Sequence, residues 1–282
     1  MEERKLLFIA NPTAGQKKIV GNMTQIVQIF CAADYIPTVL TTQYAGHATE
    51  LAEKYAGEFD LVVCAGGDGT LNETLSGLMR GGYDKPVGYL PCGTTNDLGS
   101  TLGLSSSLIK AAEDVVTGRK FLLDLGSFNG RSFVYTASFG AFTNVSYETP
   151  QVFKNVLGHL AYLLTGAGEV LKLKPISARI ETDAGDFEGD FLFGSVNNST
   201  SLAGILTIDR DLVKLDDGKH ELLLVDMPKN AIELGKLLVN LAQMGMVLAV
   251  SRQNDNRMLL KNKKTKKTQK TRKLKSAGGA DK

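Results

Sequence analysis

Through the first 125 residues short apolar runs alternate with helical patterns, and each run ends in a cluster of Gly, Pro, Asn or Thr. That rhythm marks βαβ units and a parallel sheet. The predicted strands are Leu6–Ala10, Pro37–Thr41, Asp60–Ala65 and Val87–Pro91, with helices predicted near Gln16–Ala33, His47–Tyr55 and Thr70–Met79. In an open α/β sheet ligands bind outside the carboxyl ends of the strands, so the chemistry is expected along that edge.

After Phe121–Leu125 the pattern becomes β-rich alternation, carried by residues 132–142, 176–183, 187–196 and 220–226. Helical patterns interrupt it near Gln151–Lys172, where Val152, Val156, Leu160, Leu163 and Leu164 read as a core-facing stripe in preference to a lipid groove, and again from Asn230 to about Ser251. The predicted organisation is an α/β domain over 1–125, a β-sandwich domain over 126–251 and a tail over 252–282. The tail is nearly devoid of apolar residues and is expected to be disordered.

The chain has 282 residues, enough for one large or two smaller cored domains, and its overall charge of +2 conceals an asymmetry. Residues 252–282 hold 12 Lys/Arg against Asp255 and Asp281, which leaves 20 basic and 28 acidic residues in 1–251. The body is therefore at −8 and the tail at +10. No nucleic-acid affinity is expected of the folded part, and a polybasic nucleic-acid binder would rest on the tail alone.

Cys31, Cys64 and Cys92 are widely spaced and odd in number, which argues against a zinc cage or a disulfide framework and fits a reducing cytosol. The N-terminal stretch, with acids before a short apolar run and Pro12 soon after, reads as a strand and not a signal peptide. Ala231–Val250 is interrupted by Glu233, Lys236, Asn240 and Gln243, too polar for a spanning helix. The expectation is a cytoplasmic protein whose membrane contact is peripheral, at the inner face.

Gly66-Gly67-Asp68-Gly69-Thr70 follows a predicted buried strand and opens a predicted helix. Glycines allow backbone to approach a polyphosphate, and the amides of a helix start supply donors and a favourable dipole. Asp68 repels bare phosphate unless it works through Mg²⁺ or takes a proton from an acceptor. A Gly-rich turn with a capping Asp or Thr is the plainer alternative. Neither a GxxxxGK[ST] loop nor an HRD loop occurs.

Asn11-Pro12-Thr13-Ala14-Gly15 and Pro91-Cys92-Gly93-Thr94-Thr95-Asn96-Asp97 put small hydroxyl and amide residues on the same predicted edge. Parallel neighbours deliver their C-terminal loops to one crevice. His47, His159 and His220 show no ligand or triad spacing, and Cys92 has no adjacent base to make it a nucleophile. The Asp-Gly within Leu212–Leu222 reads as a hairpin turn, without the ligand ladder of an EF-hand.

NPTAG, GGDGTLNE and PCGTTNDLG, in this order and spacing, resemble the soluble diacylglycerol kinases of bacteria, relatives of sphingosine and ceramide kinases, over roughly residues 5–230. NAD kinases share GGDGT, but the GTTND stretch is similar to the lipid-kinase branch. The resemblance implies a Rossmann-like nucleotide domain followed by a β-sandwich, and an enzyme that transfers the ATP γ-phosphoryl group to the hydroxyl of diacylglycerol or a related membrane lipid. It implies ATP held by Asn11, Pro12, Thr13, Ala14, Gly15, Thr42, Gly67, Asp68, Gly69, Thr70, Leu71, Asn72, Glu73 and Thr94, with Asp68 central to catalysis. It also implies a structural Mg²⁺ on the Lys214 carbonyl, the Asp217 carboxylate and the Lys219 carbonyl, and an acidic network of Asp68, Asp97, Asp124 and Asp216. Pairing into a homodimer is left open.

Two departures from the family stand out. Asn197-Asn198-Ser199-Thr200-Ser201 occupies the place of a glycine-rich loop, a minor change. The family's C-terminal Asp-Gly-Glu, whose acid deprotonates the lipid hydroxyl, does not occur in these residues, and composition changes abruptly after about Val250. The ending reads as a shifted or truncated frame, or else as a basic tail for an anionic bilayer, where each lysine contributes on the order of 1 kcal/mol. Activity is accordingly expected to be impaired, and the alternative is a catalytically inactive nucleotide-binding protein.

Overall fold

The computed structural model describes residues 3–129, 131–140, 174–202, 206–207, 213–230, 232–237 and 263–266. Two compact units emerge, one built on Met1–Leu122 and Ser127–Val134, the other on Leu123–Gly126 and Tyr135–Lys270.

The first unit is a doubly wound α/β layer. β1 (Arg4–Ala10), α1 (Lys18–Ala32), β2 (Tyr35–Thr41), α2 (His47–Tyr55), β3 (Leu61–Gly66), α3 (Asp68–Gly81), β4 (Val87–Pro91), α4 (Asp97–Thr101) and α5 (Leu108–Thr117) follow in order. The sheet runs β2-β1-β3-β4, all parallel. Side chains alternate along a strand, so β1 divides its apolar run between two cores. Leu6, Phe8 and Ala10 pack with Ile19, Ile26 and Phe30 of α1 and Ala111 and Ala112 of α5. Leu7 and Ile9 pack with Ala48, Leu51 and Ala52 of α2 and Leu78 of α3. Phe8 meets Phe30 edge-on, the centroids 5.5 Å apart at 88°.

All four predicted strands and the three predicted helices are present, with shifted ends. The helix predicted from Gln16 begins at Lys18, after a 3₁₀ turn over Ala14–Lys17. Gly15 (φ +52°) and Lys17 (φ +64°) are left-handed and stop an α-helix from starting sooner. A short ribbon, β5 (Gly126–Phe128) with β6 (Arg131–Phe133), comes next.

The second unit is antiparallel. β7 (Thr136–Gly140), β8 (Ile176–Ile180), β9 (Phe187–Asn197) and β12 (Lys219–Asp226) form a sheet around the long β9, while β10 (Ser201–Leu202) and β11 (Leu206–Thr207) make a separate pair. Phe191, Leu222 and Leu224 build an apolar core with Phe139, Ile180, Phe187 and Val196. Thr136, Ser195 and Asn197 fall at alternate positions and bond one another instead, Thr136 Oγ1 lying 2.8 Å from Asn197 Oδ1 and 3.0 Å from Ser195 Oγ.

Of the tail, only β13 (Lys263–Lys266) is described, antiparallel to β12 with Lys219 opposite Lys266. This corrects, for these four residues, the expectation of no regular structure. The edge of β12 offers unpaired backbone groups, and backbone pairing does not require apolar side chains. The helical pattern near Gln151–Lys172 and residues 238–251 lie outside the described residues.

Candidate functional site

Three loops close over the carboxyl ends of β1, β3 and β4. Asn11 follows β1, and its amide donates to the Ala65 carbonyl at 2.8 Å, so the loop begins as a continuation of the sheet. The Asn11 side chain then works twice. Its Oδ1 accepts the Thr13 amide (3.0 Å) and the Thr13 hydroxyl (2.9 Å), folding Pro12 and Thr13 into a tight turn, and its Nδ2 donates to Thr70 Oγ1 at 3.1 Å. The first loop is thereby joined to the second.

Close glycine contacts join the first and second loops to the third. A Cβ on left-handed Gly15 would strike the Cys92 carbonyl, and a Cβ on Gly93 would lie 2.5 Å from Gly67 Cα. No side chain fits at either contact. Gly67, extended at φ −87° and ψ −175°, starts α3 without a side-chain cap, and a Cβ on Gly69 would meet nothing within 4 Å. The first turn of α3 thus presents uncapped amides beside open space, the arrangement that suits a phosphate. The open side of Gly69 leaves these amides approachable, and donors of this kind suit phosphate oxygens.

Asp68 does not stand free in this cradle. Its two carboxylate oxygens accept the backbone amides of Asp97 (2.8 Å) and Leu98 (3.2 Å), the first residues of α4. Burial pushes the Asp68 carboxyl above its usual range, an effect those two amides partly oppose and nearby Asp97 reinforces. Asn96, left-handed at φ +51°, accepts the Gly93 amide on Oδ1 (2.8 Å) and returns Nδ2 to the Gly93 carbonyl (2.9 Å). Asn96, which the sequence places in the third loop, is the organiser of that loop. Asn tolerates left-handed backbone, which lets it stand directly before α4.

The other residues implied for the nucleotide lie after β2, in α3 and in the first and third loops. Thr42 is buried at the end of β2, its amide on the Ala10 carbonyl at 2.9 Å. Glu73 Oε1 accepts the Gly46 amide at 2.8 Å, Asn72 Oδ1 accepts the Val134 amide at 3.1 Å, and Leu71 packs inward. Thr94 is exposed in the third loop, and Ala14 turns back through its amide to the Asn11 carbonyl at 3.3 Å. Burial raises the thiols of Cys64 to about 12 and Cys92 to about 11, so both stay protonated and neither is a nucleophile at neutral pH.

The second unit gathers the other implied residues. Asp124, buried, accepts the Gly218 amide on its carboxylate, and its own amide donates to the Leu215 carbonyl at 2.7 Å. Asn198 Nδ2 donates to the Asp124 carbonyl at 2.8 Å and toward that of Leu215 at 3.4 Å. The turn carries exposed Lys214, Asp216 and Asp217; Gly218 is left-handed at φ +78°, and Asp217 Oδ1 accepts the Lys219 amide at 3.0 Å. Lys219 Nζ pairs with Asp183 at 2.8 Å. Two carbonyls and one carboxylate are an all-oxygen donor set suited to a hard divalent cation, and Asn198 Oδ1, buried nearby without a hydrogen-bond partner, adds an oxygen in need of one. The residues fit Mg²⁺. Asp68 and Asp97 are joined within the first unit, Asp124 and the turn bearing Asp216 within the second.

Comparison with known proteins identifies the family. The diacylglycerol kinase catalytic domain model matches residues 5–128. Diacylglycerol kinase from Bacillus subtilis is 35% identical over 224 residues, 79% of this chain and 74% of that one. Its namesake from Staphylococcus epidermidis is 34% identical over 236 residues, 83% and 74% of the two chains. A crystal structure of a diacylglycerol kinase from Bacillus anthracis superposes with a TM-score of 0.63 at 27% identity, over 85% of this chain and 79% of that one. The chain belongs to the diacylglycerol kinase family.

Proposed function

We propose that the chain transfers the γ-phosphoryl group of ATP to the hydroxyl of diacylglycerol or a closely related membrane lipid. The observation that carries this reading is the open, uncapped first turn of α3, walled by the first and third loops. In the transfer, the lipid oxygen bonds to the γ-phosphorus, the bond from that phosphorus to the β,γ-bridging oxygen breaks, ADP leaves with that bonding pair, and the proton of the lipid hydroxyl passes to solvent water. Asn11, Thr13 and the amides of Gly67–Thr70 hold the phosphates, Thr42, Glu73 and Thr94 border the nucleotide, and Asp68 keeps the second and third loops in register. Such chemistry is mainly positioning and charge neutralisation.

Lys214, Asp217 and Lys219 would hold a structural Mg²⁺ in the second unit, with Asp124 and Asp216 bracing the turn. A divalent cation bound with the nucleotide would neutralise charge on its phosphates. No described helix is long and apolar enough to cross a membrane, and the proposed route to a lipid acceptor is from the bilayer surface, with the basic residues of 252–282 favouring anionic headgroups. Vesicle sedimentation that falls as salt rises is the outcome expected of that contact.

The deciding experiment is transfer of labelled phosphate from ATP to diacylglycerol in mixed micelles, with a sphingoid base and NAD as comparison acceptors. Labelled phosphatidic acid is expected. Preference for NAD overturns the lipid-kinase reading.

A further inference from the structure

At the end of β2 the loop Thr42–Gly46 is tied down at both ends to the elements that carry the phosphate-binding loops. The Thr42 amide donates to the carbonyl of Ala10, the residue before Asn11, and the Gly46 amide donates to Glu73 in α3. Between these anchors Tyr44 lies flat against His47, the ring centroids 4.6 Å apart and the planes 15° from parallel. Three further hydrogen bonds fix the pair. The Tyr44 hydroxyl donates to Glu50 Oε2 at 2.7 Å, the His47 amide donates to the Tyr44 carbonyl at 3.2 Å, and His47 Nδ1 accepts the Gln43 amide at 3.0 Å. Yet Tyr44 remains 57% exposed, so the arrangement orders an aromatic face without burying it.

We propose that the Tyr44–His47 pair is the stacking platform for the purine base of the nucleotide. The inference rests on the nucleotide reading of the three loops. β2 and β3 both flank β1, so their ends stand two strand spacings apart, about 10 Å. A nucleoside triphosphate bridges that separation, with its phosphates at α3 and its base over the end of β2. An ordered aromatic face costs a base little to adopt as a partner, because the side-chain entropy is already lost. Stacking has no donor-acceptor code, so the platform selects for ring area, favouring purines over pyrimidines, and does not separate adenine from guanine.

The test is calorimetric titration of the full chain with Mg-ATP, Mg-GTP, Mg-CTP and Mg-tripolyphosphate. Wild type is expected to bind the two purine nucleotides similarly and Mg-CTP more weakly. Tyr44→Ala is expected to weaken Mg-ATP about tenfold while leaving Mg-tripolyphosphate unchanged. Tyr44→Phe, which keeps the ring and loses only the bond to Glu50, should stay close to wild type. Equal Mg-ATP affinity in wild type and Tyr44→Ala, or a parallel loss of tripolyphosphate, overturns the platform alone. Failure of wild type to bind any Mg-nucleotide overturns the nucleotide reading beneath it.

Discussion

Asp68 accepts the backbone amide of Asp97 at 2.8 Å, so a side chain at the start of α3 caps a helix that begins 29 residues later. With the Leu98 amide on its other oxygen, this carboxylate holds the second and third loops together. Asp68→Asn would place an amide NH₂ against one of these N–H donors. Leaving a buried donor without an acceptor costs about 1–3 kcal/mol, so the thermal midpoint should drop together with Mg-ATP affinity. Unchanged stability in Asp68→Asn would show that the cap is dispensable.

The same carboxylate has a pH signature of defined sign. Burial, reinforced by Asp97 and opposed by the two amides, raises its folded value above the unfolded one. The folded state therefore binds more protons across that interval. Stability linked to Asp68 is whole below the unfolded value and is lost as pH rises through the folded one. Subtracting the Asp68→Asn stability curve from that of wild type should leave a component that declines over this acidic window. A component that rises there would contradict the buried-carboxylate picture.

Two glycines of the cradle should separate binding from folding. A methyl on Gly69 meets nothing, and Ala is favoured over Gly in a helix by about 0.5–1 kcal/mol. Gly69→Ala should keep or raise the melting temperature while blocking the phosphates and weakening Mg-ATP. Gly93→Ala has no such room, since its Cβ would lie 2.5 Å from Gly67 Cα, and should destabilise the fold itself. Paired melting and titration curves check both.

For the turn at Asp217, added Mg²⁺ should raise the melting temperature, because a ligand that binds only the folded state stabilises it by about 2.7 kcal/mol at one hundred times its dissociation constant. Asp217→Asn should abolish the shift and a chelator should reverse it in wild type. The same Mg²⁺-dependent shift in Asp217→Asn would place the cation elsewhere.

What could be read from the chain depended on how local its causes are. β1 and β3 are buried along their apolar runs, and their hydrophobic stretches announced them. β2 sits at the sheet edge with a mixed pattern and was still found through its β-branched residues. α4 was missed because its cap, Asp68, is remote in sequence and its five residues carry no period. α5 had a local signal that was passed over, Ser107 accepting the Lys110 amide ahead of an amphipathic run. In the site, the three loops were legible because glycine, Asn and Asp report backbone demands directly. Asn96 was legible only as part of the third loop and Asn198 only as part of a departure from the family, since their work is to hold carbonyls and amides brought near by the fold.

Turnover is the final prediction, and it concerns the proton of the acceptor hydroxyl. The 282 residues contain no Asp-Gly-Glu, and among the candidate residues Asp68 is committed to the amides of Asp97 and Leu98. Loss of a general base costs about 10²–10⁴-fold in rate, while positioning by the loops persists. The chain as it stands should therefore bind Mg-ATP yet phosphorylate diacylglycerol slowly. Replacing residues after about Val250 with a family-type ending that carries Asp-Gly-Glu should raise turnover with little change in Mg-ATP affinity, since the cradle lies wholly in the first unit. Asp68→Asn in that chimera should remove the gain, through loss of loop register. Full-rate turnover by the unmodified chain, measured with labelled ATP in mixed micelles, would place the base elsewhere in these 282 residues.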